Sequence, residues 1–266
     1  MIKLWNTTMP YASEDVDFIP HLKEYIAGSK GIVVVCPGGG YSCRAEYEGD
    51  TIGEWFNSIG ISAVVLEYRV APYKHPAEMS DVQRAIRYVR HNVEKYGIDK
   101  DKIAVMGFSA GGHLAASASV HYDKKVYEPT DEIDKESAKP NASILCYSVI
   151  DMGDYRNDGS MYNLLGGRPT DDMRNFMSCH KQITTDTPEA FLWHTSSDDC
   201  VHVMNSLLYA QGLATHSINY EMHIYPEGPH GLSLSNHITA KEGSCPPEKV
   251  TAWVKDSIDF LKKGID

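Results

Sequence analysis

Apolar and polar positions along the chain follow two different periods. GIVVVC at 31–36, SAVVLEY at 62–68, KIAVMGF at 102–108, SILCYSV at 143–149, AFLWHT at 190–195 and YEMHIY at 220–225 are short β-branched or apolar runs that read as strands. Between them the spacing becomes helical. Ile52, Trp55, Phe56 and Ile59 fall at i, i+3, i+4, i+7, and Val82, Ala85, Ile86, Val89 and Val93 repeat that spacing before Gly97 offers a stop. Val250, Trp253, Val254, Ile258 and Leu261 form a third apolar face behind the helix-start signal Pro246, Pro247, Glu248. This alternation predicts an α/β fold, a mostly parallel, doubly wound sheet flanked by helices, with the last helix closing over it.

Two stretches fit no regular element well. Residues 121–141 are dense in charge, and residues 151–177 are rich in Gly, Asp, Met and Tyr. Insertions at strand ends in such folds often carry binding function.

Composition changes the picture little. Hydrophobic residues make up 42% and charged residues 23%, an ordinary globular mixture. A length of 266 residues suits one large core, so residues 1–266 are read as a single domain. The net charge of −11, with no long run of Lys and Arg, weighs against a nucleic-acid partner. The amino terminus, MIKLWNTTMPYASED, lacks the basic segment and apolar core of a signal peptide, and no window approaches the roughly 18 apolar residues of a membrane span. These features predict a soluble, cytoplasmic protein with no membrane partner, and they leave a homo-oligomer open. Cys36, Cys43, Cys146, Cys179, Cys200 and Cys245 are scattered without CxxC pairs, which points away from a zinc or redox motif and toward free thiols.

The chemistry centres on AVMGFSAGGH at 104–113. Gly107-Phe-Ser-Ala-Gly111 follows a predicted strand and opens a helix, the setting in which a nucleophilic serine is held on a tight turn at the carboxyl edge of a sheet. The flanking glycines have a steric reason, since side chains there would collide with the neighbouring strand and helix. A serine hydroxyl needs a base within hydrogen-bond reach. The chain has twelve histidines. His113 lies along the helix body and reads as packing; His121, His216 and His237 have no distinguishing neighbours. His230, in EGPHGL directly after the last predicted strand, emerges at the same sheet edge as Ser109 and is the expected base. Asp198 and Asp199, just past AFLWHT, both stand where an acid could hold the imidazole tautomer.

Acyl transfer also needs donors for a developing oxyanion. The N–H of Ala110, next after the serine, is one. CPGGGYS supplies others: its glycines let the backbone approach a substrate, and Gly39 and Gly40 are the expected donors. A phosphate-binding loop is disfavoured there, because GxGxxG fails at Cys43 and no GK[ST] follows.

With these residues placed, the chain resembles the α/β-hydrolase superfamily, and more narrowly its small carbohydrate acetyl-esterase and acetyl-xylan-esterase-like branch, related to the hormone-sensitive-lipase-like esterases. The resemblance rests on CPGGGY at 36–41, EYRVAPYKHPAEMSDVQRAIRYVRHN at 67–92, GIDKDKIAVMGFSAGGHLAAS at 97–117, LWHTSSDDCVHVMNS at 192–206 and YPEGPHG at 225–231. It implies an α/β-hydrolase fold with a small cap or none, and the order Ser109, Asp198, His230 is the one such enzymes use. Similar chains carry the acid at the first position of DDxV, which selects Asp198 and leaves Asp199 as a surface or capping residue. Two departures stand out: Cys36 and Pro37 replace the His that opens the glycine loop in many relatives, and Ser148 occupies a position expected to be proline.

The resemblance implies a serine esterase that removes short acyl groups, acetyl above all, from carbohydrate esters such as acetylated xylo-oligosaccharides. It needs no metal or organic cofactor, and its partner is a small ester. Tyr41, Met152, Tyr155 and Met161 are candidate walls of the substrate pocket. A serine exopeptidase or formamidase using the same triad is the alternative, and a noncatalytic binding protein that kept the fold is a third reading.

Overall fold

The six apolar runs become strands of one eight-stranded sheet. The structure, a computed structural model, describes residues 1–6, 8–240 and 247–265; Cys245 and Pro246 of the helix-start signal lie outside the described residues. The strands are β1 (Ile2–Lys3), β2 (His21–Tyr25), β3 (Ile32–Cys36), β4 (Ser62–Glu67), β5 (Ile103–Phe108), β6 (Ala142–Cys146), β7 (Glu189–Thr195) and β8 (Tyr220–Tyr225), in the order β1-β2-β4-β3-β5-β6-β7-β8. From β4 to β8 every pairing is parallel, while β1 and β2 run antiparallel at one edge.

The helices are α1 (Asp50–Ser58), α2 (Ala77–His91), α3 (Val93–Tyr96), α4 (Ser109–Val120), α5 (Asp158–Leu165), α6 (Asp171–Met177), α7 (Met204–Thr215) and α8 (Ala252–Ile265). Both faces of the sheet's centre are buried, which is why β3, β5 and β6 are nearly continuous apolar runs, whereas β2 and β8 towards the edges are only partly buried. Along β3, Ile32, Val34 and Cys36 enter one core, with Val82 and Ile86 of α2, Leu114 of α4 and Leu213 of α7. Val33 and Val35 enter the other, with Ile52 and Phe56 of α1 and Trp253 and Phe260 of α8. Each such large apolar side chain withdrawn from water contributes about 1.5–3 kcal/mol.

Three expectations are corrected. The helix read through Val93 breaks at Asn92, the cap between α2 and α3, before Gly97 ends α3 in the left-handed conformation at φ 67°. Ile59 lies just past α1 and is 40% exposed rather than core-facing. Residues 151–177, read as irregular, contain α5 and α6, whose N-caps are side chains: Asn157 accepts from Ser160 N–H and Thr170 from Met173 N–H. Residues 121–141 are irregular as expected, apart from one 3-10 turn at Glu132–Lys135.

Two packing contacts hold the carboxyl edge of the sheet. Trp253 of α8 stacks on Trp193 of β7 with ring centroids 5.0 Å apart, and its indole N–H donates to Ser233 O at 3.1 Å, fixing the loop that carries His230. Tyr68, after β4, donates from its hydroxyl to Pro37 O at 2.6 Å and anchors the start of the glycine loop. Cys36, Cys43, Cys146, Cys179 and Cys200 are free thiols. Among the described residues no helix is long and apolar enough to cross a membrane.

Candidate active site

β5 delivers Ser109 to the edge of the sheet on a turn with no room for side chains beside it. A Cβ on Gly107 would sit 2.1 Å from Gly111 O, and one on Gly111 would sit 2.2 Å from Cys36 O. Phe108 is extended, and Ser109 takes the left-handed conformation at φ 53°, which costs an L-residue of this kind about 1–2 kcal/mol. The turn aims the hydroxyl out of the sheet edge, where Ser109 keeps 7% of its surface exposed.

The loops after β7 and β8 bring the other two groups to it. Ser109 Oγ lies 2.8 Å from His230 Nε2, and His230 Nδ1 lies 2.8 Å from Asp198 Oδ2. With Asp198 ionised, the ring donates its Nδ1–H to that carboxylate and leaves Nε2 to accept the serine O–H. The other oxygen of Asp198 accepts the N–H groups of Cys200 and Val201 at 2.9 and 2.8 Å. Burial pulls this carboxyl upward, but hydrogen bonds from His194 and His230, the charge of His230 and the Val201 N–H outweigh it, so its pKa falls well below the usual carboxylate range. Asp199 is exposed.

His194 is a group that sequence reasoning passed over. It sits at the end of β7, four residues before Asp198, with Nε2 2.9 Å from Val201 O and 3.3 Å from Asp198 Oδ2, while Nδ1 accepts from Ser206 O–H at 2.8 Å. It braces the acid-bearing loop from inside.

The glycine turn lies beside Ser109: a Cβ on Gly38 would sit 3.1 Å from Ser109 Cβ. Gly39 and Gly40 have φ of 121° and 62°, and both line the pocket at Ser109. Their carbonyls face away: Gly39 O accepts from Ser42 and Cys43 N–H, and Gly40 O accepts from the Asn163 side chain at 2.8 Å. Among the described residues no acceptor takes the N–H of Gly39 or Gly40. Ala110 is fully buried and does not line the pocket with its side chain, but its N–H belongs to the first turn of α4, where such groups have no intrahelical partner.

The pocket holds about 170 Å³ and is lined by Gly39, Gly40, Ala45, Tyr47, Glu48, Ser109, Asn157, Ser160, Cys200 and His230. None of the four residues expected as walls is among them. Tyr41 is buried with its hydroxyl 2.8 Å from His113 Nδ1, and Met152 is fully buried. Tyr155 lies against the ring of His202, and Met161 packs on the core. All four turn their side chains to these contacts rather than into the pocket. The walls come instead from the loop before α1, from the start of α5 and from Cys200, three segments whose convergence no local pattern announces. Asn157 ties two of them together, donating from Nδ2 to Cys200 O at 3.1 Å.

Glu48 was also missed. It is 2% exposed, with Oε2 accepting Gly38 N–H at 3.0 Å and Oε1 accepting Tyr147 O–H at 2.6 Å. Burial raises its pKa against the opposing effects of Tyr147, His230 and Gly38. His113, read as a packing residue, is fully buried between Tyr41 and Met177 O, and its pKa is lowered to about 4, chiefly by burial. Among the described residues no group of three or more His, Cys, Asp or Glu side chains is placed to hold a metal ion.

Known proteins share this arrangement of chain. A family model described as BD-FAE matches residues 21–213. Endo-1,4-beta-xylanase B of Butyrivibrio fibrisolvens is 38% identical over 228 residues, which are 82% of this chain and 35% of that protein. Acetylxylan esterase of Xylanibacter ruminicola is 30% identical over 208 residues, 76% of this chain and 41% of that protein. The chain therefore spans less than half the length of these curated relatives. Among solved structures, an acetyl ester-xyloside bifunctional hydrolase from Caldicellulosiruptor lactoaceticus is 40% identical and superposes with a TM-score of 0.91, covering 99% of this chain and 95% of that one. A sugar hydrolase from Lactococcus lactis is 26% identical with a TM-score of 0.75, covering 95% of this chain and 96% of that one.

Proposed function

The chain belongs to the BD-FAE family and has the α/β-hydrolase fold, and on that premise we propose that it is a serine esterase removing short acyl groups, chiefly acetyl, from carbohydrate esters such as acetylated xylo-oligosaccharides. The observation that carries the reading is the unbroken pair of 2.8 Å contacts from Ser109 through His230 to Asp198, with the N–H groups of Gly39 and Gly40, which have no acceptor among the described residues, lining the same pocket. Relatives described as an acetylxylan esterase and an acetyl ester-xyloside hydrolase support the substrate class.

In the proposed reaction Ser109 Oγ attacks the ester carbonyl carbon as its proton passes to His230 Nε2. The carbonyl oxygen becomes an oxyanion that the N–H groups of Gly39, Gly40 and Ala110 stabilise; removing one such donor typically costs about 10²–10³ in rate. Collapse breaks the bond to the sugar oxygen, which takes the proton from His230, and leaves acyl-Ser109. Water then attacks the acyl carbon, gives a proton to His230, and the acid departs as the proton returns to Ser109. Asp198 holds the imidazole tautomer throughout and offsets the charge of the imidazolium.

The size of the pocket supports a short acyl group. Turnover of p-nitrophenyl acetate, butyrate and octanoate, together with acetate release from acetylated xylan fragments, tests the reading. Acetate esters are expected to be cleaved fastest, with acetate released from the fragments. Preference for octanoate, absence of sugar-ester cleavage, or faster cleavage of dipeptidyl nitroanilides than of any ester would overturn it.

A further inference from the structure

Glu48 is a buried carboxyl on the pocket wall that the proposed reaction steps do not employ, and its contacts connect the two halves of the site. One oxygen accepts the N–H of Gly38, which directly precedes the proposed oxyanion donors. The other accepts the hydroxyl proton of Tyr147, and that hydroxyl in turn accepts Ser233 N–H at 2.9 Å, three residues beyond His230. Tyr147 also sets its ring against the imidazole of His230, with centroids 5.0 Å apart in an edge-on arrangement. Ser233 closes the circuit by donating from its hydroxyl to Tyr47 O at 2.8 Å, next to Glu48 in the chain. A continuous chain of hydrogen bonds thus runs from the glycine turn through Glu48 and Tyr147 to the histidine loop.

Resting on the esterase reading, we propose that Glu48 is a positioning residue for acyl transfer: its carboxylate, gripping Gly38 N–H with one oxygen and Tyr147 O–H with the other, sets the distance between the oxyanion donors and His230. The ionised form serves both donors at once, because each oxygen accepts and neither must give up a proton. Packing leaves no room for a side chain at position 38. A Cβ there would lie 2.4 Å from Glu48 Oε2, 2.8 Å from Phe108 O and 3.1 Å from Ser109 Cβ, so the peptide is clamped between the carboxylate and the nucleophile's own turn. Glutamine at position 48 keeps one acceptor and turns the other into a donor, so it cannot accept both the Gly38 N–H and the Tyr147 O–H. The turn would then relax away from Ser109, and donors misplaced by about 1 Å cost on the order of a hundredfold.

The test compares Glu48→Gln, Tyr147→Phe and the double variant with wild type on p-nitrophenyl acetate, with Ser109→Ala as control. Folding is checked by circular dichroism and thermal unfolding. The expected result is a fall in kcat of roughly tenfold to a hundredfold for Glu48→Gln with little change in KM, because substrate contacts remain while the transition-state donors shift. Tyr147→Phe should lower kcat in the same sense, and the double variant should be no slower than the slower single one, since both break the same chain. A folded Glu48→Gln enzyme with wild-type kcat, or losses in the two singles that multiply in the double, would overturn the proposal. If Glu48→Gln does not fold, Tyr147→Phe decides alone: a kcat-specific loss supports the tie and unchanged kcat refutes it. Inactive Ser109→Ala beside a fully active Glu48→Gln removes only the positioning role, whereas an active Ser109→Ala removes the esterase reading itself.

Discussion

Asp198 turns inward and Asp199, its neighbour in the chain, turns outward. The Asp198 side chain is 1% exposed and 2.8 Å from His230, while Asp199 stands in solvent. Asp198→Asn replaces an acceptor with a group that can present N–H to Nδ1 and favour the wrong tautomer, so kcat should drop by about 10⁴. Asp199→Asn should leave turnover within about twofold, as expected for a surface change away from the contacts. Steady-state kinetics of the two single variants check both, and equal losses would contradict the assignment.

The serine turn stores backbone strain. Ser109 holds φ at 53°, a conformation glycine adopts freely. Ser109→Ala and Ser109→Gly both lack the hydroxyl, and both should be inactive. They differ in strain, so the glycine variant should be more stable than the alanine variant by about 1 kcal/mol, read by denaturant unfolding.

Glycines of the same turn have no such latitude. Gly107→Ala would drive a methyl into Gly111 O at 2.1 Å, a contact only a backbone shift can relieve. It should yield protein that unfolds many degrees lower or is insoluble. Gly159→Ala in α5 meets nothing nearer than Asn157 Oδ1 at 3.6 Å and should be tolerated, with a change in stability below about 1 kcal/mol. Thermal melts of the pair distinguish steric need from general glycine sensitivity.

Much of this architecture could be read from residue order. That Ser109, Asp198 and His230 would come together at one sheet edge was legible because each follows a segment readable as a strand, and parallel strands of one sheet open at the same edge. β2 was not, since HLKEY at the sheet edge buries only Leu22 and shows no alternation to detect. α5 and α6 are eight and seven residues long, too short for a helical period to stand out, although the caps Asn157 and Thr170 were in view. The pocket walls were illegible for a different reason. Tyr47, Asn157 and Cys200 meet only through the tertiary fold, and Tyr41, an aromatic next to the glycine turn, spends its hydroxyl on His113 instead.

His113 predicts how stability depends on pH. Its Nδ1 accepts from Tyr41 O–H and its Nε2–H donates to Met177 O, both at 2.8 Å, so burial keeps the ring neutral with its pKa lowered from 6.5 to about 4. The unfolded chain takes up this proton first as pH falls. The stability gained by keeping the ring neutral is therefore complete above pH 6.5 and lost progressively toward pH 4, by on the order of 3 kcal/mol. His113→Gln should be less stable than wild type at pH 7, and the gap should close as pH falls through that window. Urea unfolding of both proteins from pH 7 to pH 4 measures it, and a constant gap would contradict the account.

The central claim is that one pocket holds a nucleophile, its base and its oxyanion donors. A crystal structure of the protein after reaction with a serine-reactive phosphonate tests it most directly. The account predicts a single covalent bond at Ser109 Oγ, with the phosphoryl oxygen within hydrogen-bond reach of the N–H groups of Gly39, Gly40 and Ala110 and the imidazole of His230 still on Asp198. A phosphonate that leaves Ser109 unmodified, or an adduct whose oxygen points away from the glycine turn, would contradict it.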